Sequence, residues 1–188
     1  MGKIEKNKKE EIKCASQEVI ISRTDLKGNI IYANQTFAKV NGFKGSSFIH
    51  KPHNIIRHPE MPKTIFKVVW SIIKQGLPIQ AIIKNKTNDG HYYWTVINWK
   101  VQKDRDNKII SYVAYGKQAP DSAIKIIEPL YTMMLEIENE HGMDSALDYL
   151  HAYLDEEEIT YREFMERLTK HREFRCLCDF IKHAILKK

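Results

Sequence analysis

The sequence predicts an α+β fold, a five-stranded antiparallel sheet with helices on one face, followed by a C-terminal helical region. Three observations carry this. Two β-rich runs near the start flank a glycine turn, three more between Ile79 and Lys117 are separated by turn-rich connections, and beyond Pro120 the apolar spacing becomes helical. The order is strand, strand, short helices, one longer helix, then three strands, which implies one sheet with its helices collected on one side.

Residues 1–17 mix Lys3, Lys6, Lys8, Lys9 and Lys13 with Glu5, Glu10 and Glu11, and read as a solvated N-terminal cap or dimerisation helix. Val19, Ile20 and Ile21 precede the turn signal Asp25-Leu26-Lys27-Gly28-Asn29, after which Ile30, Ile31 and Tyr32 resume, as in a hairpin. From Asn34 the spacing of Phe37 and Val40 is helical and ends at Gly42. Residues 46–62, rich in His and Pro, predict short helices and loop. Pro62 then opens a helix that Gly76 closes, with Lys63, Lys67 and Lys74 on one face and Phe66, Val69, Trp70 and Ile73 elsewhere. Strands follow at 79–87, 91–102 and 108–117, linked by Asn88-Asp89-Gly90 and Asp104-Arg105-Asp106-Asn107.

The tail, 120–188, predicts a helical hairpin or small bundle. Asp121 or Ser122 caps a segment with Ile124, Ile127, Leu130, Met134 and Ile137, kinked at Pro129 and ending near Gly142. Asp144 caps a short helix, and Thr160 with Glu163 forms a capping box before Phe164, Leu168, Phe174 and Leu177.

Composition narrows the class. With 43% hydrophobic and 29% charged residues the chain reads as soluble and globular, and no apolar run approaches the roughly 18 residues a membrane span needs. The N-terminus lacks the apolar core of a secretion signal. Cys14, Cys176 and Cys178 are an odd set without disulfide spacing, which points to a reducing cytoplasm. Residues 1–119 carry 21 Lys and Arg against 9 Asp and Glu, and residues 120–188 carry 9 against 15, so the front is basic and the back acidic. The front's lysines are scattered rather than gathered, so no nucleic-acid partner is expected.

Candidate chemistry concentrates before residue 119. Along the strand from Ile79 the odd positions read Ile79, Ala81, Ile83 and Asn85, which sets an amide on the apolar face. Such an amide either bonds to local backbone at the strand end or meets the complementary edge of a heterocycle. Phe66 and Trp70 supply either plain core or a stacking wall. His171, Cys176, Cys178 and His183 resemble metal ligands, but on a helix 171 pairs with 178 and 176 with 183, each about 10 Å apart along the axis, beyond one tetrahedral zinc. His50, His53 and His58 precede the long helix and offer a haem alternative. Neither a phosphate-cradling glycine loop, a nucleophile elbow nor a paired-carboxylate motif is present, so no enzyme activity is expected.

Residues 25–118 resemble a PAS domain, and specifically the flavin-binding PAS domain of bacterial aerotaxis receptors. The matching motifs are TDLKGNIIYANQTF from Thr24 to Phe37, KPHNIIRHPEMPKTIFKVVW from Lys51 to Trp70, and KNKTNDGHYYW from Lys84 to Trp94. The resemblance implies a PAS sensor domain over 18–119 and FAD-contacting or pocket-shaping roles for Asn34, Arg57, His58, Phe66, Trp70 and Asn85. Thr95 stands at a flavin-facing strand position where related domains often carry a second amide, and Glu60 where the receptors have aspartate. His58 either orders its loop between two prolines or contacts the flavin. No cysteine lies between Cys14 and Cys176, which excludes blue-light adduct chemistry. The receptors continue into a membrane anchor and a signalling rod that this sequence lacks. It therefore resembles a separate cytoplasmic PAS subunit that senses redox state or oxygen for a membrane-bound chemotaxis-type transducer. It is itself not inserted in the membrane, and a homodimer through the PAS domain or flanking helices is compatible. The alternative is a cofactor-free PAS interaction module.

Overall fold

The computed structural model describes residues 9–14 and 18–170. Strands β1 (Ile20–Thr24) and β2 (Ile30–Ala33) lead into helix α1 (Gln35–Val40), a 3-10 turn (His53–Ile56) and helix α2 (Lys63–Ile73). Strands β3 (Ile79–Lys86), β4 (Tyr92–Lys103) and β5 (Ile109–Gln118) precede helices α3 (Asp121–Glu156) and α4 (Tyr161–Lys170). The five strands form one antiparallel sheet in the order β2-β1-β5-β4-β3, as the sequence predicts, with strand ends within about a residue of expectation.

Local chemistry explains the hairpin. Asp25 Oδ1 accepts from the backbone N–H of Lys27 at 2.9 Å and of Asn29 at 2.8 Å, an Asx turn that leaves Gly28 at φ +87°. A Cβ on Gly28 would also stand 3.4 Å from Trp70 Cζ2, so this position needs glycine for both conformation and space. The register then sorts side chains by parity. Ser22 pairs Ala114, Ile20 and Ile97 both pair Gly116, Ile83 pairs Thr95, and Asn85 pairs Tyr93. One face of the sheet thus collects small residues across β1, β5 and β4, while Lys84, one position from Asn85, turns to the other face with its Nζ 4.5 Å from the Tyr92 ring.

The expected N-terminal helix is not what residues 9–14 form. They run extended: Tyr92 N donates to Glu10 O, Ile12 N donates to Tyr92 O, and Cys14 N donates to Gln118 Oε1 at 2.8 Å. The unpaired edge of β4 beside Tyr92 offers these hydrogen bonds, and they outweigh a weak helical propensity.

Contacts divide the chain into two units, Met1–Pro59 with Trp70–Gln118, and Glu60–Val69 with Ala119–Lys188. In the second unit the first two turns of α2 join the C-terminal helices. Helix α2 has no acidic residue in its own first turn. Glu138 of α3, 8% exposed, supplies the carboxylate instead, accepting from Thr64 N at 2.9 Å and Thr64 Oγ1 at 2.8 Å. The backbone of α3 stays helical through Pro129, where a kink is expected, and leaves helical geometry at Gly142, φ +87°. The expected capping box is present: Thr160 N and Oγ1 donate to Glu163 Oε2, and Glu163 N donates to Thr160 Oγ1. Phe174, Leu177 and the His171–His183 set lie outside the described residues.

Replacing Glu138 by alanine strips a helix terminus of its charged acceptor and should lower the urea-unfolding free energy by about 1–3 kcal/mol. Glu138→Gln, which keeps one acceptor, should lose clearly less. Equal stability of all three proteins would show that the buried carboxylate does not hold α2.

Candidate functional site

A cavity of about 20 Å³ lies against the small-residue face of the sheet in the first unit. Ser22, Ala114, Gly116 and Thr95 form its floor, Asn85 stands on the β3 side, and Phe37, His53 and Ile56 close it opposite. Its polar groups are arranged in two pairs. Asn85 Nδ2 donates to Thr95 Oγ1 at 3.1 Å, and Thr95 Oγ1 donates to Ile83 O at 3.4 Å. A hydroxyl has one proton to give, so Thr95 accepts from the amide and thereby orients it. Asn85 Oδ1 is then left facing the cavity without a protein donor among the described residues, on a side chain that is 4% exposed. In the second pair Ser22 Oγ meets His53 Nε2 at 2.9 Å.

Of the residues singled out from sequence, Asn85 and Thr95 line this cavity. Asn34 does not. Its Oδ1 accepts from Phe37 N at 3.0 Å and Ile21 N at 3.1 Å, and its Nδ2 donates to Val19 O at 2.8 Å, so the amide caps α1 and ties it to β1. Arg57 and His58 sit beside β3 through backbone, Arg57 in an isolated bridge with Asn85 and His58 N donating to Lys84 O. The His58 ring packs against Tyr92 at 5.6 Å. Trp70 lies edge-on to Tyr112 at 5.2 Å, with Lys74 Nζ 6.0 Å from its ring. Phe66 belongs to the second unit. Of the three histidines in the haem alternative, His53 lines the cavity while His50 is an exposed residue at φ +64°.

Sequence reasoning missed Ser22 and Tyr93, and named His53 only in the haem alternative. Ser22 was signalled by parity with Ile20 and Thr24 along β1. Tyr93 is 1% exposed and donates from its hydroxyl to Asn41 Oδ1 at 2.9 Å, while Asn41 Nδ2 donates to Phe37 O, a network that fixes α1 against β4. Burial pushes the Tyr93 phenol up and the Cys14 thiol up to about 11, so neither ionises near neutrality.

A flavin tests this site in two ways. The lining chemistry fits: an open amide oxygen, a floor without branched side chains at Ala114 and Gly116, and aromatic walls suit a flat heterocycle. The cavity of about 20 Å³ holds about one water, whereas ligand pockets run to roughly 300 Å³ or more. A ring system is therefore admitted here only with outward movement of the residues opposite the sheet.

Loss of hydration lowers the His53 pKa to about 4, so the ring is neutral in the native protein at pH 6, while the unfolded chain takes up a proton near pH 6.5. Between those values the unfolded state binds more protons, and stability falls as pH drops from 6.5 towards 4, by up to about 3 kcal/mol. Urea unfolding at pH 7 and pH 4.5 should show the wild type losing more stability than His53→Gln. Identical losses would show that His53 is hydrated and titrates normally.

Residues 30–115 match the family profile described as PAS fold. The chain is 38% identical over 117 residues to the aerotaxis receptor of Escherichia coli strain K12, covering 62% of this chain and 23% of the receptor. It is 29% identical over 75 residues to the nitrogen fixation regulatory protein of Klebsiella oxytoca, covering 40% of this chain and 15% of that protein. It thus spans less than a quarter of the length of either relative. Among solved structures it superposes on the dark structure of the blue-light photoreceptor Aureochrome1 LOV with a TM-score of 0.50 at 20% identity, covering 63% of this chain and 86% of that one. An RNA-binding light-oxygen-voltage receptor gives 0.50 at 16% identity, covering 73% and 35%. Among the described residues no helix is long and apolar enough to cross a membrane. The matched profile and the strand order together identify a PAS fold over residues 30–115.

Proposed function

We propose that this chain is a cytoplasmic redox sensor whose PAS domain holds FAD non-covalently and passes its state by contact to a membrane-bound chemotaxis-type transducer, a separate protein. It acts as a sensor rather than a catalyst. The observation that carries the reading is Asn85, a buried amide oriented by Thr95 with its oxygen open to the cavity. The 38% identity to the E. coli aerotaxis receptor supports it.

A bound flavin supplies a redox centre whose ring changes protonation as it takes up electrons. Asn85 Oδ1 would accept from a ring N–H, and Thr95 would keep the amide from turning. Arg57 and His58, whose backbone pairs with β3 at Asn85 and Lys84, would meet the anionic chain of FAD. Residues of the sheet floor exclude water and bring the ring close to backbone. A change in what Asn85 must accept alters the strand that carries it, and the output is a shift in conformational population.

The small volume favours a second reading, a cofactor-free PAS module that works by protein contact. Colour separates the two. The flavin reading expects a yellow protein that releases FAD on denaturation, with Asn85→Ala reducing flavin content several-fold at nearly unchanged Tm. Gly116→Val, whose Cβ would meet Ile20 Cβ at 3.6 Å and whose methyl groups project further over the floor, should remove it. Colourless protein that takes up no added FAD supports the module reading. If flavin is bound but cross-linking in cells captures no chemotaxis-type transducer in either redox state, the sensor loses its proposed partner and keeps its cofactor.

A further inference from the structure

His53 lines the side of the cavity opposite the sheet. Of the residues that line it, His53 alone is not buried. The imidazole stands 6.0 Å from the Phe37 ring and holds Ser22 Oγ by Nε2 at 2.9 Å. Ser22 is 3% exposed and sits centrally on β1 opposite Ala114. The 3-10 turn His53–Ile56 is otherwise held at its margins by backbone: His53 N donates to Gly28 O, Arg57 N to Asn54 O, and His58 N to Lys84 O. Among the described residues, Ser22–His53 is the side-chain hydrogen bond that joins this turn to the sheet. His53 Nδ1 has no protein partner there.

We propose that Ser22 and His53 form a latch that sets the cavity's volume, and that His53 is a further ligand-contacting residue which exchanges Ser22 for the polar edge of a planar heteroaromatic ring when one is admitted. The ligand half of this rests on the flavin reading; the latch half does not. Three features support it. The cavity holds about one water, so a ring needs the turn to move, and among the described residues the turn's side-chain hydrogen bond to the floor is Ser22–His53, beside backbone bonds to Gly28 and Lys84. Ser22 stands on β1, three strands across from Asn85 on β3, so a ring bound over the floor would meet polar groups on both sides. A neutral imidazole donates at one nitrogen and accepts at the other, so it can replace the serine hydroxyl by a ring carbonyl or a ring N–H without leaving a charge buried.

The full chain serves for the test. In protein stripped of any bound flavin, Ser22→Ala should speed amide hydrogen exchange across residues 53–58 by about tenfold or more and leave β3 and β4 unchanged, while Ser22→Thr, which keeps the hydroxyl, should exchange like wild type. With FAD added, Ser22→Ala should associate several-fold faster, and His53→Ala should release FAD at least tenfold faster at unchanged Tm. Unaltered exchange in Ser22→Ala overturns the latch whatever the flavin does. Unaltered FAD release from His53→Ala overturns its contact with ligand. Should wild type bind no FAD while Ser22→Ala still loosens the turn, the latch stands and the flavin is overturned as its ligand.

Discussion

An amide side chain inside an apolar core carries donors and acceptors that water no longer serves, and leaving them unserved costs on the order of 1–3 kcal/mol. The PAS domain is organised around an amide whose needs are half met. Asn85 gives a hydrogen to Thr95, Thr95 gives its own to Ile83, and the carbonyl oxygen of Asn85 is turned to a cavity. The rest follows from keeping that arrangement: antiparallel register sets Ile83 opposite Thr95 and Asn85 opposite Tyr93, and the Ala114 and Gly116 positions leave space over the neighbouring strands. A sheet filled with branched residues on that face would leave no cavity for the amide to face.

Two asparagines show how the same side chain is spent differently. Asn34 has all its contacts supplied by backbone, at Val19, Ile21 and Phe37, and its work is to start a helix and fasten it to a strand. Its loss would act on the pocket through α1, which carries Phe37 into the lining. Asn85 has no such local employment for its oxygen. A resemblance between sequences names both residues alike, and geometry separates them.

Much of this was legible in the sequence because it is local or periodic. The Asp25–Asn29 turn, the Thr160–Glu163 capping box and the two-residue period that turns Asn85 inward are each fixed by residues within a few positions of one another. The same period applied to β1 would have turned Ser22 inward as well. What escaped depends on distant pairing. Residues 9–14 have a helix-like composition and are extended because β4 offers an edge far along the chain. Glu138 reaches Thr64 in the first turn of α2 across 74 positions, and Tyr93 reaches Asn41 across 52, spacings that no window of sequence displays. His53 stood in a loop read for haem, and its pairing with Ser22 exists only once β1 and the 3-10 turn are brought together.

Side-chain NMR of uniformly 15N-labelled protein, recorded while FAD is added, tests the central claim most directly. The account expects the Asn85 amide resonances to move strongly as FAD binds, with the His53 ring nitrogens following, while the Asn34 amide, engaged wholly by backbone, stays nearly still. Saturable FAD binding with Asn85 unmoved would contradict it, because the cavity that this amide faces would then not be where the ligand is read.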